Sequence, residues 1–187
     1  MEVDAIRNIE IISEMRAFLR KKNMGHELLF VMGINTALRI GDLLSLSIGD
    51  VVGESGEIMK AICLKEQKTG KRKLVPVNES LKNALSRYLV EYPHRDHSAP
   101  LFTSKKGGVL SRSQAWRILK AAGESAGLSN IGTHSLRKTF GYHAYKKTGS
   151  DIGLVQKLLN HSVAGTTLRY IGIDRERMDN VYLTMNL

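Results

Sequence analysis

The 187-residue chain is long enough for one sizeable core but hardly for two full domains, so its length predicts a single domain over 1–187. Lysine and arginine total 28 against 18 acidic residues, and the net charge of +10 favours a polyanionic partner such as nucleic acid. Without an apolar run of about 20 residues or a signal-peptide pattern, the sequence predicts a cytoplasmic protein that makes no membrane contact.

The first two predicted elements are helices. Apolar residues at helical spacing predict an amphipathic helix over 5–22, and a segment that is apolar on nearly all sides predicts a core helix over 26–36. The second helix leads to Arg39, a lone cation among apolar residues. Asp42 follows three positions later and could orient Arg39, so a purely structural pair is an alternative to a functional role.

Two strand-like segments, 57–64 and 72–77, follow. Between them lies a polar turn with Gly70 for the tight bend, which indicates a β-hairpin whose basic tip carries Lys68 and Lys71. The single cysteine, Cys63, allows no intrachain disulfide, and its apolar surroundings predict a buried side chain.

A capped helix is predicted after Asn78, and another from Ser111 or Ser113 to about Gly127, with Trp116 in the core. The six histidines of the chain lack both a His-Glu-x-x-His pattern and an accompanying carboxylate cluster, so we expect no metal ion and no cofactor. Together these segments predict a mainly α fold, α+β by the stricter label, with a small antiparallel β-sheet.

The last third of the chain gathers polar residues at helical spacing. If 133–147 is a helix, His134 and Arg137 stand at i and i+3 and project from one face. A second helix, from Ser150-Asp151, leaves His161 near its C-terminal end, and Tyr170 lies nine residues further on. The apolar residues after Tyr170 predict a short helix that packs either on its own domain or on a neighbouring protomer.

If the polar residues converge, they suit transesterification of a phosphodiester. Arginine side chains are forked donors that stay charged and match non-bridging phosphate oxygens, so Arg39 and Arg137 would form a clamp. Tyr170 would attack phosphorus, and His134, whose ordinary pKa is about 6.5, would accept the phenol proton. His161 would donate to phosphate, and Lys68 would protonate the departing sugar oxygen. No metal ion is required by this chemistry.

These motifs resemble the catalytic domain of the tyrosine recombinase, or phage integrase, family. Thr36 to Leu46 is similar to the first arginine box of the family, and Lys68-Thr69-Gly70-Lys71 with Val75-Pro76-Val77 resembles its hairpin segment, with Lys68 the best match and Lys71 the alternative. The segment 134–137 matches the His-x-x-Arg box, and 159–170 resembles the closing box that ends in the nucleophile. Asn160 departs from the family, which usually has glycine there; asparagine also suits a left-handed turn.

The resemblance implies six catalytic residues: Arg39, Lys68, His134, Arg137, His161 and Tyr170. It also implies a helical fold that cuts and rejoins double-stranded DNA through a 3′-phosphotyrosyl bond in a homo-tetramer, with the C-terminal segment as a possible contact between protomers. Because residues 1–22 are too short for it, we expect the separate N-terminal core-binding domain of most members to be absent. The chain is then either a fragment or a minimal recombinase.

Two other functions remain open from the sequence. A DNA-binding regulator or accessory protein with the same fold would need no productive catalysis, although a pure binder has no need of a tyrosine beside two arginines and two histidines. A topoisomerase IB-like activity would share the chemistry without site selectivity or synapsis. The sequence does not indicate the DNA site, or whether the outcome is integration, excision, inversion or resolution.

Overall fold

A computed structural model describes residues 3–93 and 96–185. Over these ranges the chain is mainly helical and has one two-stranded antiparallel sheet, which confirms the predicted fold class. The elements in chain order are α1 (Ile9–Lys22), α2 (Met24–Thr36), α3 (Ile40–Leu44), β1 (Ala61–Lys65), β2 (Arg72–Pro76), α4 (Glu79–Glu91), α5 (Arg112–Ser125), α6 (Thr133–Lys147), α7 (Ile152–Leu158), α8 (Ala164–Ile171) and α9 (Ile173–Thr184).

The opening helix begins later than predicted, and residues 5–8 are not helical. The side chain of Asn8 accepts a hydrogen bond from the backbone N–H of Glu10 at 2.7 Å, and this cap starts α1 at Ile9. Ile6, counted in the predicted apolar stripe, is buried instead from the preceding segment, where its N–H donates to Thr139 Oγ1 at 2.8 Å. The segment before α1 is therefore fastened to α6.

Helix α2 is the centre of the first half of the molecule. It is buried on most sides, as its apolar sequence predicts, and contacts α1, α4 and α6. It ends at Ala37, whose φ of 56° is left-handed, and this sharp turn delivers Arg39 to the start of α3. A helix fixed from three sides thus positions the first arginine.

Three clusters of buried side chains hold the elements together. The first joins α2, α3, α4 and the hairpin, and includes Tyr88 and Phe102. The second joins α1, α2, α5 and the start of α6 around Phe30. The third joins α6 to α7, α8 and the start of α9, and includes Tyr145. Helix α6 contributes to two clusters, so it connects the first half of the chain to the segment that carries Tyr170.

The hairpin is confirmed, but one side-chain prediction within it is wrong. Strands β1 and β2 pair with Ile62 opposite Val75 and Cys63 opposite Leu74, and Gly70 takes a left-handed φ of 66° in the turn. Ile62 and Val75 face the core, so Cys63 and Leu74 face outward and are exposed. Cys63 is therefore not buried, because alternation along the strand outweighs the apolar character of its neighbours.

The prediction that Trp116 lies in the core is also wrong. Helix α5 buries Ala115, Leu119 and Ala122, whereas Trp116 is 43% exposed and lies beside Lys120, whose Nζ is 5.1 Å from the ring centroid. Consecutive helical residues point about 100° apart, so the face that carries Ala115 inward directs Trp116 toward its edge. Over 3–93 and 96–185, no helix is long and apolar enough to cross a membrane.

Candidate active site

Arg137 lies on the first turns of α6 and is almost completely buried. Its guanidinium donates one hydrogen bond to the backbone oxygen of Ala37, at the end of α2, and another to that of Leu159, at the end of α7. Two bonds from different nitrogens fix the plane of the group. Arg137 is therefore held rigidly where three segments of the chain meet.

Arg39 begins α3, and its side chain is 21% exposed. Its Nη1 pairs with Glu66 Oε1 at 3.1 Å, so the side chain binds a carboxylate 27 positions away in the sequence and not Asp42, the structural partner that the sequence left open. Asp42 instead accepts hydrogen bonds from two backbone N–H groups, Arg39 at 3.3 Å and Gln67 at 2.8 Å. Asp42 thereby joins the start of α3 to the hairpin turn.

Glu66 is a functional candidate that the sequence reasoning missed. It is 1% exposed and accepts hydrogen bonds from Arg39, from Thr69 Oγ1 at 2.7 Å and from Asn160 Nδ2 at 2.9 Å. Burial alone would raise the pKa of Glu66, but the hydrogen bonds from Thr69 and Asn160 and the charges of Arg39 and Lys73 outweigh it, so the pKa is lowered. Glu66 therefore remains a charged carboxylate inside the site.

The hairpin turn presents two lysines, and Lys68 has the stronger link to the other site residues. Both side chains are exposed. The charge of Lys68 lowers the pKa of His134 and of His161, so its ammonium group acts on both rings. Lys71 closes the turn through its backbone, whose oxygen accepts from the N–H of Glu66 at 2.9 Å.

Lys73, on β2, is a second residue that the sequence reasoning did not consider. Its Nζ donates to the backbone oxygen of Leu158 at 3.0 Å, near the C-terminal end of α7. Burial lowers the pKa of Lys73, and the charge of Arg137 lowers it further. The contact fastens the hairpin to the helix that precedes His161.

Tyr170 lies on α8 and is partly buried beside Arg137 and His161. The centroids of the His161 and Tyr170 rings are 5.1 Å apart and the rings meet edge to face, while His161 Nδ1 is 3.1 Å from Thr167 Oγ1. Burial raises the pKa of Tyr170, although the charges of Arg137 and Arg39 and a hydrogen bond from Arg137 partly offset this. The phenol is therefore protonated at neutral pH.

Both histidines are biased toward their neutral form. Burial lowers the pKa of His134, and the charges of Arg137, Lys138, Arg39 and Lys68 lower it further. The same holds for His161, where burial comes first and the charges of Arg137, Arg39 and Lys68 follow. A neutral imidazole has a lone pair that accepts a proton, and the predicted role of His134 as a general base requires this.

Asn160 takes the left-handed conformation predicted for it, with φ of 49°. Its N–H donates to the backbone oxygen of Lys157 at 3.0 Å, and the turn places His161 next in the chain. The departure from glycine adds a side chain, and its amide reaches Glu66. The substitution therefore introduces a contact that glycine cannot make.

The six sequence-predicted residues converge in one cluster. Tyr170 contacts Arg137 and His161, and the charges of Arg39, Arg137 and Lys68 act on both histidines. Across the described part of the chain, three or more His, Cys, Asp or Glu side chains do not gather anywhere in a way that could hold a metal ion. The arrangement offers fixed cations, proton acceptors and one phenol to a phosphodiester.

A mainly helical fold with such a cluster defines a tyrosine-type site-specific recombinase. The profile of the phage integrase family matches residues 7–177, and the chain belongs to that family. The probable integrase/recombinase YoeC of Bacillus subtilis (strain 168) is 40% identical over 180 residues, which are 96% of this chain and 95% of YoeC. Tyrosine recombinase XerD of Corynebacterium glutamicum is 34% identical over 151 residues, covering 79% of this chain and 48% of XerD.

Solved structures share the fold. XerH recombinase, in a post-cleavage complex with its palindromic difH substrate, matches with a TM-score of 0.71 and 24% identity over 98% of this chain and 54% of XerH. Lambda integrase, solved as a tetramer bound to a Holliday junction, matches with a TM-score of 0.66 and 18% identity over 89% of this chain and 48% of that chain. The chain thus spans about half the length of these two proteins, but nearly all of YoeC.

Proposed function

We propose that this recombinase cuts and rejoins double-stranded DNA through a covalent bond between Tyr170 and a 3′-phosphate, and that residues 1–187 act as a single catalytic domain. The observation that carries this proposal is the position of the Tyr170 phenol, which lies within the charge field of Arg137 and Arg39 and edge-on to His161. A tyrosine with a purely structural role does not need two arginines beside its hydroxyl group. It is well placed to attack a phosphate that both arginines hold.

Arg39 and Arg137 form the phosphate clamp. The Arg39 guanidinium is partly exposed and uses Nη1 for Glu66, so its other N–H groups can meet non-bridging oxygens. Arg137 is fixed by its two carbonyl contacts before DNA binds. Donors that are already oriented stabilise the growing negative charge of the phosphorane-like transition state without the cost of reorganisation.

The strand-cleavage step is a transesterification. Tyr170 Oη forms a bond to phosphorus as the bond from phosphorus to the 5′-oxygen breaks, and the phenol proton passes to His134. Lys68 gives a proton to the departing 5′-oxygen. His161 donates to a non-bridging oxygen through Nε2–H, in the tautomer whose Nδ1 accepts from the Thr167 hydroxyl. The reverse sequence, with the proton returned from His134, rejoins the strands. Because the phosphotyrosyl bond retains the energy of the phosphodiester, ATP is not required.

Double-stranded DNA is the proposed partner, and a homo-tetramer is the proposed assembly on it. The net charge of +10 favours the DNA backbone, and the XerH and lambda integrase complexes show a similar fold on DNA substrates. Helix α9 exposes Val181, Tyr182 and Leu183 near the end of the chain. We propose that these exposed apolar side chains pack on another protomer.

The contact between protomers is testable on α9. Substitution of Leu183 by Ser should reduce higher-order complexes on DNA in native gels and leave binding of a single protomer intact, because Leu183 is 80% exposed. Deleting residues 174–187, of which the last two lie outside the described residues, should abolish synapsis as well. Unchanged assembly by both variants would refute the proposed contact.

Covalent trapping tests the chemistry. Nicked suicide substrates taken from the genomic neighbourhood of the gene would be mixed, in EDTA, with the wild-type protein and with Tyr170→Phe. A covalent protein–DNA band from the wild type alone would establish a metal-independent tyrosine nucleophile at this position. Clear DNA binding with no covalent band from the wild type would refute the proposed reaction.

A further inference from the structure

We propose that Glu66 and Asn160 act as positioning residues, which lock the Lys68 turn, the Arg39 side chain and the His161 turn into one arrangement. This inference rests on the proposed function, because it concerns how the same site is organised for strand cleavage. Neither side chain is assigned a contact with DNA. Their role is to fix the groups that would make such contacts.

Glu66 receives hydrogen bonds from three separate segments. Oε1 accepts from Arg39 Nη1 at 3.1 Å, and Oε2 accepts from Thr69 Oγ1 at 2.7 Å and from Asn160 Nδ2 at 2.9 Å. The donors come from the start of α3, from the hairpin turn and from the turn between α7 and α8. A carboxylate has about four lone-pair positions, so these donors nearly saturate it. A buried group with this pattern of partners determines the distances between the segments.

The hydrogen bonds of Glu66 restrain Lys68 by fixing the residues on either side of it. Lys68 lies between Glu66 and Thr69, whose side chains are bonded to each other, and Gly70 donates its N–H to the backbone oxygen of Glu66 at 2.8 Å. The turn is therefore closed on both sides of Lys68. Its exposed ammonium group is presented from a fixed base, which suits a general acid that must meet one oxygen atom.

Asn160 connects this base to the histidine side of the site. Its amide donates to Glu66, and His161 is the next residue in the chain. On the opposite strand of the hairpin, Lys73 Nζ reaches the backbone oxygen of Leu158 at 3.0 Å. Two polar contacts thus tie the hairpin to the end of α7, and the Asn160 contact is the one that involves Glu66.

Asn160→Gly is the cleanest variant for a test. The left-handed φ of 49° suits glycine, so the change removes the amide without straining the turn. It leaves the Arg39–Glu66 pair in place and disturbs only the link between hairpin and His161 turn. Glu66→Gln, in contrast, keeps the shape of the side chain but replaces an acceptor by an NH₂ group that faces donors, and it removes the charge opposite Arg39.

The experiment measures single-turnover cleavage on two suicide substrates. One has ordinary DNA at the scissile position, and the other has a 5′-bridging phosphorothiolate, whose sulfur leaves without protonation and so does not need Lys68. Glu54→Gln, at an exposed carboxylate in a loop, is the matched control for the loss of one negative charge. Thermal unfolding and DNA-binding affinity are measured for every variant.

On ordinary DNA we expect Asn160→Gly to cleave roughly tenfold more slowly than the wild type, and Glu66→Gln roughly 100-fold more slowly. On the phosphorothiolate, Asn160→Gly should return to within about twofold of the wild type, because the misplaced group is the Lys68 turn. Glu66→Gln should recover only in part, since Arg39 has also lost its partner. A loss of fold alone would slow both substrates equally.

Two results overturn the inference while leaving the proposed function intact: wild-type cleavage rates for both variants, or equal losses on both substrates for Asn160→Gly. Wild-type protein that forms no covalent product on either substrate would overturn the proposed function, and the inference with it. The control Glu54→Gln should cleave both substrates at the wild-type rate. If Glu54→Gln cleaved as slowly as Glu66→Gln, the loss of one negative charge alone would explain the effect, and this would also overturn the inference.

Discussion

A single added methyl group on α6 should uncouple the stability of the protein from its activity. Gly141 lies one turn beyond Arg137, and a Cβ at this position would be 2.7 Å from Ile171 Cγ2 and 3.0 Å from Leu159 Cδ1. Carbon atoms that are not bonded prefer separations of about 3.5–4.0 Å, so α8 or the end of α7 must retreat by about 1 Å. Ile171 adjoins the proposed nucleophile Tyr170, and Leu159 provides a carbonyl to Arg137.

The expected cost to stability of Gly141→Ala is small. Overpacking costs about 1–3 kcal/mol, and alanine in place of glycine inside a helix recovers about 1 kcal/mol, which leaves a net loss of about 1 kcal/mol. The expected cost to catalysis is larger, because a displacement of about 1 Å of a reacting group can slow a reaction about 100-fold. We therefore expect a folded variant that forms the covalent complex at least tenfold more slowly.

Chemical denaturation and single-turnover cleavage of a suicide substrate measure the two effects separately. Gly165→Ala on α8 is the stability control, because an added Cβ there meets open space and should only gain helix propensity, by up to about 1 kcal/mol. A Gly141→Ala protein that equals the wild type in unfolding free energy and in cleavage rate would refute the packing argument.

Four further outcomes are expected. The lowered pKa of His134 keeps its base form below the ordinary value of about 6.5, so the cleavage rate should decline only at a pH below that value, and His134→Gln should lose that acid limb in a pH–rate profile. At a pH between the ordinary pKa and the lowered pKa of His134, the unfolded chain binds a proton that the folded chain does not. The free energy of unfolding should therefore fall as the pH drops through this range, and denaturant titrations at several pH values would show it. Arg137→Lys replaces a guanidinium bonded to Ala37 and Leu159 by a single ammonium group, so the rate of covalent-complex formation should fall by about 100-fold or more. A cleavage rate near that of the wild type would contradict this expectation. Glu27, which is 1% exposed, accepts from Arg16 Nε and from Arg87 Nη2 at 2.8 Å each, so Glu27→Ala should lower the unfolding free energy by about 3 kcal/mol, whereas Glu54→Ala on the surface should not.

Features set by local physics could be predicted from the sequence. The side chain of Asn78 caps the start of α4 by accepting a hydrogen bond from the N–H of Leu81. Asn160 adopts a left-handed conformation, which asparagine tolerates better than any residue except glycine. The spacing of His134 and Arg137 indicated a shared helix face because one helical turn determines it. In each case the determining interaction lies within a few residues.

Other features depended on partners that are distant in sequence. Glu66 has no local pattern that distinguishes it from a solvated turn residue, since two of its three donors lie 27 and 94 positions away. Spacing alone left a structural pair between Asp42 and the Arg39 side chain as an alternative, and the backbone donors that Asp42 binds instead could not be seen. For Cys63 and Trp116 the predicted strand and helix are correct, but the side of the element on which each side chain lies was predicted wrongly. Composition shows that a segment is buried but not which of its sides faces the core.

The contacts of Arg137 also bear on the order in which the protein is synthesised. Its guanidinium joins Ala37 and Leu159, which are 100 and 22 positions away in the chain. Contacts of such separation form only once both ends are available, and domains emerge from the ribosome starting at the N-terminus. A growing chain that has not reached the end of α7 cannot complete the two carbonyl contacts of Arg137, and Tyr170 comes later still. In the proposed reaction, strand cleavage therefore becomes possible only after Tyr170 has been synthesised and α8 has packed on α6.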